Sequence, residues 1–137
     1  MTNPTFKFSV SGNPAKFSYE PTEDWVYTHE DEVRFETASG PFSLDLINKD
    51  DTQSVALRPF PTLQSQPGKD TNGNPVFLAI TKINDGLTPA QREDAIEGHR
   101  TSEKDPGFIA RYRYKFTVTM PDKTTAIDDQ KNGEYRC

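Results

Sequence analysis

The stretch that decides the fold is Ile109-Ala110-Arg111-Tyr112-Arg113-Tyr114-Lys115-Phe116-Thr117-Val118-Thr119-Met120, in which apolar or aromatic residues alternate with basic and hydroxyl residues. Successive side chains of a β-strand point to opposite faces of a sheet, so this alternation predicts one long strand over residues 108–120. The face expected to be buried carries Tyr112, Tyr114, Phe116, Val118 and Met120. The opposite face carries a basic stripe, formed by Arg111, Arg113 and Lys115.

Shorter segments repeat this alternation. They predict strands at Phe6 to Val10, around Phe17 and Tyr19, at Trp25 to Tyr27, at 32–37 and at 42–48, with a weaker candidate at 53–58. The apolar run 75–83 is expected in the centre of a sheet with both faces covered. Prolines concentrate in 59–75, which predicts a long polar loop and excludes a central strand there. A polar tail is predicted after Pro121.

One helix is predicted near 89–97. Thr88 stands at the N-cap position, Pro89 at the first helical position and Gln91 where it completes a capping box. Gly98 marks the predicted end.

Strands at short, regular spacing with one inserted helix predict a single all-β domain over residues 1–137. The expected architecture is an antiparallel Greek-key sandwich. If the strand bearing Glu32 and Glu36 lay beside the long strand, these carboxylates and the basic stripe would form a cross-strand ladder.

The run from Phe17 to Phe35, with Tyr19-Glu20-Pro21 and Asp31-Glu32-Val33-Arg34-Phe35, resembles the opening of cupredoxin-like domains. The segment 112–116 is similar to their penultimate strand. This resemblance implies a cupredoxin-like sandwich, with an immunoglobulin-like one as the alternative. The blue-copper ligands, two His, one Cys and a weak axial Met, are not at the matching positions, so the resemblance implies a copper-free relative. Met120 is interpreted as a core residue.

Charge and composition indicate which classes of partner and which compartment to expect. The chain of 137 residues has a formal charge of −5, which makes nucleic acid an unfavourable partner. No apolar run is long enough to span a membrane, so no membrane insertion is expected. The only cysteine is Cys137, which forms no internal disulfide. These features predict a cytoplasmic protein, although removal of an export signal would leave the same sequence.

Other candidate sites have simpler interpretations. Cys137 with His29 or His99 would be a nucleophilic pair only if a pocket held them together. Residues 70–74 begin like a calcium loop but lack its later ligands, which favours a turn at Asn72-Gly73. The acidic residues Asp50, Asp51, Asp122, Asp128 and Asp129 could bind a divalent ion if they met. Glu93 and Glu97 share a helix face, which is typical of a solvated surface.

The sequence contains no familiar catalytic motif. We therefore predict a non-enzymatic binding or structural module that contacts an unknown protein or small ligand, without catalytic residues, cofactor or metal. The loops 59–75 and 99–107 are the expected contact surfaces. The candidate partner-binding residues are Arg111, Arg113 and Lys115. A metal-binding electron-transfer protein and a carboxylate-dependent hydrolase are the alternatives, and the oligomeric state is left open.

Overall fold

A computed structural model describes residues 3–48, 59–98, 100–104 and 107–136. Its elements are β1 (Thr5–Ser11), β2 (Lys16–Glu20), β3 (Trp25–Thr28), β4 (Glu32–Thr37), β5 (Phe42–Asn48), β6 (Leu63–Gln64), β7 (Gln66–Lys69), β8 (Pro75–Lys82), α1 (Pro89–Gly98), β9 (Ala110–Thr119) and β10 (Thr125–Arg136). Sheet A has the strand order β2-β1-β4-β8-β7, and sheet B has the order β3-β10-β9-β5-β6. The predicted all-β sandwich with one short helix is confirmed.

Strand direction is mixed. The pairs β1 with β4 and β3 with β10 are parallel, whereas the other pairs are antiparallel. Parallel neighbours need a crossover connection, and here each parallel pair joins strands that are distant in sequence. The specific Greek-key arrangement remains a prediction.

The long strand forms as predicted and is β9. Its residues alternate between buried and accessible positions, and Tyr112, Tyr114, Phe116 and Val118 are all fully buried. Met120 follows the strand and packs at the margin of the core. Strand β9 lies between β10 and β5 in sheet B, and only one of its faces packs against sheet A. A strand with one covered face alternates apolar and polar residues, which is why the sequence predicts it.

Aromatic rings fill the space between the sheets. Phe6 of sheet A stacks on Trp25 of sheet B with ring centroids 4.7 Å apart, and the Phe8 and Phe116 centroids are 4.4 Å apart. Such ring pairs add about 0.5–1.5 kcal/mol to the hydrophobic stabilisation that burial provides. A chain with few aliphatic residues therefore builds its core from large flat side chains.

Two predictions about irregular segments are wrong. Residues 59–75 contain β6 and β7, which form the outer edges of the two sheets. The proline argument still holds, because Pro67 lies in an edge strand, where a missing N–H costs least. Residues after Pro121 form β10, and a bulge between Asp128 and Lys131 interrupts the alternation that would have indicated this strand.

Two predictions about neighbours are also wrong. Strand β8 does not have both faces covered, because Ile80 is 49% exposed. The ladder between β4 and β9 does not form, because these strands lie in different sheets. Arg34 instead contacts Glu36 of its own strand. The candidate strand at 53–58 lies outside the described residues.

The helix forms as its end signals predict. The Thr88 N–H donates to Gln91 Oε1 at 2.8 Å and the Gln91 N–H donates to Thr88 Oγ1 at 3.2 Å. This reciprocal pair is a capping box, and it satisfies backbone donors that a first helical turn leaves free. The helix ends at Gly98.

Candidate functional site

The basic stripe lies on the outer face of sheet B, in the middle of the sheet. Arg111 is neutralised there: its Nε lies 3.1 Å from Glu134 Oε1, and its guanidinium lies 3.9 Å above the Phe108 ring centroid. Glu134 is only 10% exposed and also contacts Arg136. The carboxylate is therefore held between two guanidinium groups.

The other two residues of the stripe have fewer partners. Arg113 lies between Asn132 on β10 and Ile47 on β5, and neither neighbour is charged. Lys115 is exposed and lies opposite Asp45 in the β5 register. Asp45 Oδ1 already accepts hydrogen bonds from the Leu46 N–H and the Thr62 hydroxyl. Within the described residues neither Arg113 nor Lys115 forms an ion pair.

Neutral polar side chains lie beside the stripe. Thr117 and Ser43 lie opposite each other next to Lys115, and Gln64 continues the same row on β6. These side chains donate and accept hydrogen bonds without adding charge. The stripe therefore offers positive charge within a row of neutral polar groups.

A depression of about 400 Å³ lies on the outer face of sheet A. Its lining includes Lys7, Ser9, Ser18, Glu20 and Glu36. The Glu36 side chain is only 5% exposed and lies 2.9 Å from Arg34 Nη2 and 3.9 Å from Lys7 Nζ. Glu36 is therefore neutralised, but Glu20 and Asp70 also line the depression, so its lining carries a net negative charge.

Lys131 is a buried cation that the sequence did not reveal. Its ammonium donates to the carbonyl oxygens of Pro21, Thr22 and Glu23 at 3.2, 3.0 and 2.6 Å. It also lies 5.1 Å from the Trp25 ring centroid. Burial lowers the pKa of Lys131, and nearby Asp24 and Glu23 partly oppose that shift. The bulge in β10 turns this side chain inward, and the sequence pattern gives no sign of the bulge.

Asp85 anchors the helix to sheet B. Its side chain is 1% exposed and accepts two hydrogen bonds from Arg92, one from the Tyr135 hydroxyl and one from the Leu87 N–H. Burial alone would raise the pKa of Asp85, but the hydrogen bonds from Arg92 and Tyr135 outweigh it and hold that pKa below its ordinary value. Local sequence patterns do not reveal this group, because Asp85 and Tyr135 are 50 residues apart.

The other candidate residues are not brought together. His29 lies after β3, beside Glu30, whereas His99 and Cys137 lie outside the described residues. Asp70 Oδ1 accepts the Asn72 and Asn74 N–H groups, which confirms a turn between β7 and β8.

The acidic candidates are also separate. Asp122 belongs to the turn between β9 and β10, whereas Asp128 accepts a hydrogen bond from Tyr19. Glu93 and Glu97 are exposed on α1, and Glu97 pairs with Arg100. Asp50 and Asp51 lie outside the described residues. In the part of the chain that the structure covers, no group of three potential metal-ligating side chains occurs.

No family model matches this chain, and no curated protein or solved structure is significantly similar to it. Among the described residues no helix is long and apolar enough to cross a membrane. The function has to be inferred from the surfaces themselves.

Proposed function

We propose that this chain is a non-enzymatic binding module that holds an acidic segment of a partner protein on the outer face of sheet B. The candidate contact residues are Arg113 and Lys115. Arg111 forms the border of the contact, because Glu134 already neutralises it.

The observation that carries this proposal is the local excess of positive charge on an acidic protein. The whole chain has a formal charge of −5. Around the stripe, however, four basic residues, Arg111, Arg113, Lys115 and Arg136, outnumber the carboxylates on the described neighbouring strands, which are Glu134, Asp45 and, in the bulge opposite Lys115, Asp129. Segregated charge of one sign accelerates association with a partner of opposite charge and orients it.

The stripe also has the geometry of a strand surface. Arg113 and Lys115 are two residues apart on one strand, so their side chains project from the same face. An extended acidic peptide has the same repeat and can place alternate carboxylates against both cations. The guanidinium of Arg113 can bind a carboxylate through two parallel hydrogen bonds.

The direction of the pKa shifts supports a non-catalytic role. General acid or base catalysis works best with a pKa near the operating pH. Here the pKa values of Asp70, Asp85 and Asp122 are lowered and those of the buried tyrosines are raised, so each moves away from neutrality. The lowered pKa of Lys131 moves towards neutrality, but its ammonium is buried and already donates to three backbone carbonyls. No observation on the described residues favours the electron-transfer or hydrolase alternative over the binding module.

The test is the binding of a fluorescently labelled oligoglutamate peptide, followed by anisotropy at low and high salt. We expect wild-type protein to bind it at low salt and to bind it more weakly at high salt, because salt screens the attraction between exposed charges. The double variant Arg113→Gln with Lys115→Gln should bind about tenfold more weakly, since two surface charge contacts of up to about 1 kcal/mol each are lost.

The matched control is Lys104→Gln with Lys123→Gln, which removes the same charge from exposed loop positions. An equal loss of binding in the control would show a non-specific effect of net charge and would refute the proposed site. Tighter binding of a single-stranded DNA of equal charge would contradict a protein partner.

A further inference from the structure

Strand β2 is the longest uninterrupted edge of either sheet among the described residues. It lies at the end of sheet A and pairs only with β1. The other edges are shorter or blocked: β6 has two residues, β3 has four, and β7 contains Pro67, which has no N–H. An edge without proline or a bulge can accept another strand.

The sequence of β2 is complementary to itself. It reads Lys16-Phe17-Ser18-Tyr19-Glu20. When a second β2 lies antiparallel with Ser18 opposite its own copy, each Lys16 faces Glu20 of the second copy. Each Phe17 then faces Tyr19 of the second copy, and the smallest side chain lies at the twofold axis.

The charges around β2 continue this pattern. Lys7 lies opposite Glu20 on one side and opposite Glu36 on the other, so the signs alternate across β4, β1 and β2. Lys16 of a second copy would extend the alternation by one strand. Lys16 and Glu20 are exposed, and neither forms an ion pair within the described residues.

The aromatic residues on the opposite face add apolar area. Phe17 and Tyr19 are only half-buried, and their ring centroids are 6.2 Å apart at the margin of the core. A cleft beside them is also lined by Ile127, which is 59% exposed. Cross-strand pairs of aromatic residues stabilise antiparallel sheets.

We propose that two copies of this chain associate through an antiparallel pairing of their β2 strands, so that the two five-stranded sheets A become one continuous ten-stranded sheet across a twofold axis. This contact is isologous and closes on itself. It involves none of the residues of the basic stripe, so it does not depend on the proposed function. The edge is short, and contacts burying less than about 1,200 Å² are typical of weak association.

The test is sedimentation equilibrium of the full chain over a wide concentration range. We expect wild-type protein to show a reversible monomer–dimer equilibrium. Lys16→Glu and Glu20→Lys each place like charges together at two symmetric positions and should weaken association at least about tenfold. Lys104→Glu, at an exposed loop position, should associate like wild type.

The decisive arm mixes the two single variants. In an antiparallel pair of Lys16→Glu with Glu20→Lys, every charge meets an opposite charge, so the mixture should form a heterodimer more tightly than either variant associates with itself. The double variant should dimerise with itself for the same reason. A monomeric wild type at the highest concentration, or single variants that associate as wild type does, would overturn the proposal.

Discussion

At the scale of single residues, Asp85 shows how one carboxylate holds the helix. It accepts hydrogen bonds from Arg92 and Tyr135 while almost fully buried. We expect Asp85→Asn to reduce the free energy of unfolding by about 3 kcal/mol at neutral pH, because the Arg92 charge loses its partner. Urea denaturation would measure this loss, with the exposed Asp94→Asn as control.

The Asp85 carboxylate should also make the free energy of unfolding depend on pH in acidic solution. Its folded-state pKa is lowered, so the unfolded chain takes up its proton first as the pH falls. The stabilisation is complete above the ordinary Asp pKa of 3.8 and is lost as the pH falls through the folded-state value. The difference between wild type and Asp85→Asn should therefore shrink below pH 3.8, and a constant difference would contradict this account.

Two buried hydroxyl groups are expected to lower the stability of the fold, whereas the Asp85 carboxylate raises it. Tyr27 and Tyr114 are fully buried, and within the described residues neither hydroxyl oxygen has a hydrogen bond of good geometry, although the two hydroxyl groups are close enough to influence each other's pKa. A buried polar group without a partner costs about 1–3 kcal/mol. We expect Tyr27→Phe and Tyr114→Phe each to leave stability unchanged or to raise it, as measured by thermal denaturation. A Tyr135→Phe control should lose stability, because that hydroxyl binds Asp85.

At the scale of elements, the pairing of β9 and β10 depends on a glycine. A Cβ atom at Gly133 would lie 2.2 Å from ring atoms of Tyr114, which fills the centre of the core. We expect Gly133→Ala to destabilise the fold by about 1–3 kcal/mol, since a packed core has no room for an added methyl group. A lower midpoint of urea denaturation in Gly133→Ala than in wild type would measure this loss of stability.

Gly98→Ala is the matched control for that substitution. Apart from its chain neighbours and the backbone of its own helix, no atom of the described residues lies within 4 Å of a Cβ at Gly98, and the residue is helical. Alanine favours helix over glycine by up to about 1 kcal/mol, so the control should be neutral or stabilising. Equal losses in both variants would contradict the contact with Tyr114.

These elements differ in how far the sequence predicts them. Strand β9 and helix α1 are predictable because the alternation of Tyr112, Tyr114 and Phe116 and the Thr88 and Gln91 cap are local signals. Strand β10 is not predictable, because its bulge breaks the alternation of buried and exposed residues and its buried positions include Lys131 and Gly133. The basic stripe is predictable as a face of β9. The ion pair between Arg111 and Glu134 is not predictable, because local sequence does not specify which strands become neighbours.

At the scale of the whole molecule, tyrosine ionisation reports the integrity of the core. The pKa values of Tyr19, Tyr27, Tyr114 and Tyr135 are raised above 10.0, chiefly by burial. The free energy of unfolding is therefore unaffected by these tyrosines below pH 10. It falls as the pH rises from 10 towards the folded-state pKa values, because the unfolded chain ionises first. We expect little tyrosinate absorbance from these residues until the chain unfolds at alkaline pH. Early, independent ionisation would contradict the packing.

The ammonium of Lys131 has a consequence for the order in which the protein folds. It closes the turn at Pro21 to Glu23 from a position 110 residues away from Pro21, and β3 pairs with β10 over a similar separation. Neither contact can form on the ribosome until β10 has been synthesised. During that time the strands of sheet A can pair with one another, but the aromatic face of the sheet stays exposed, because β9 and β10 of sheet B are not yet present. Contacts between such distant residues slow folding, so this nascent chain should depend on chaperones more than its size suggests.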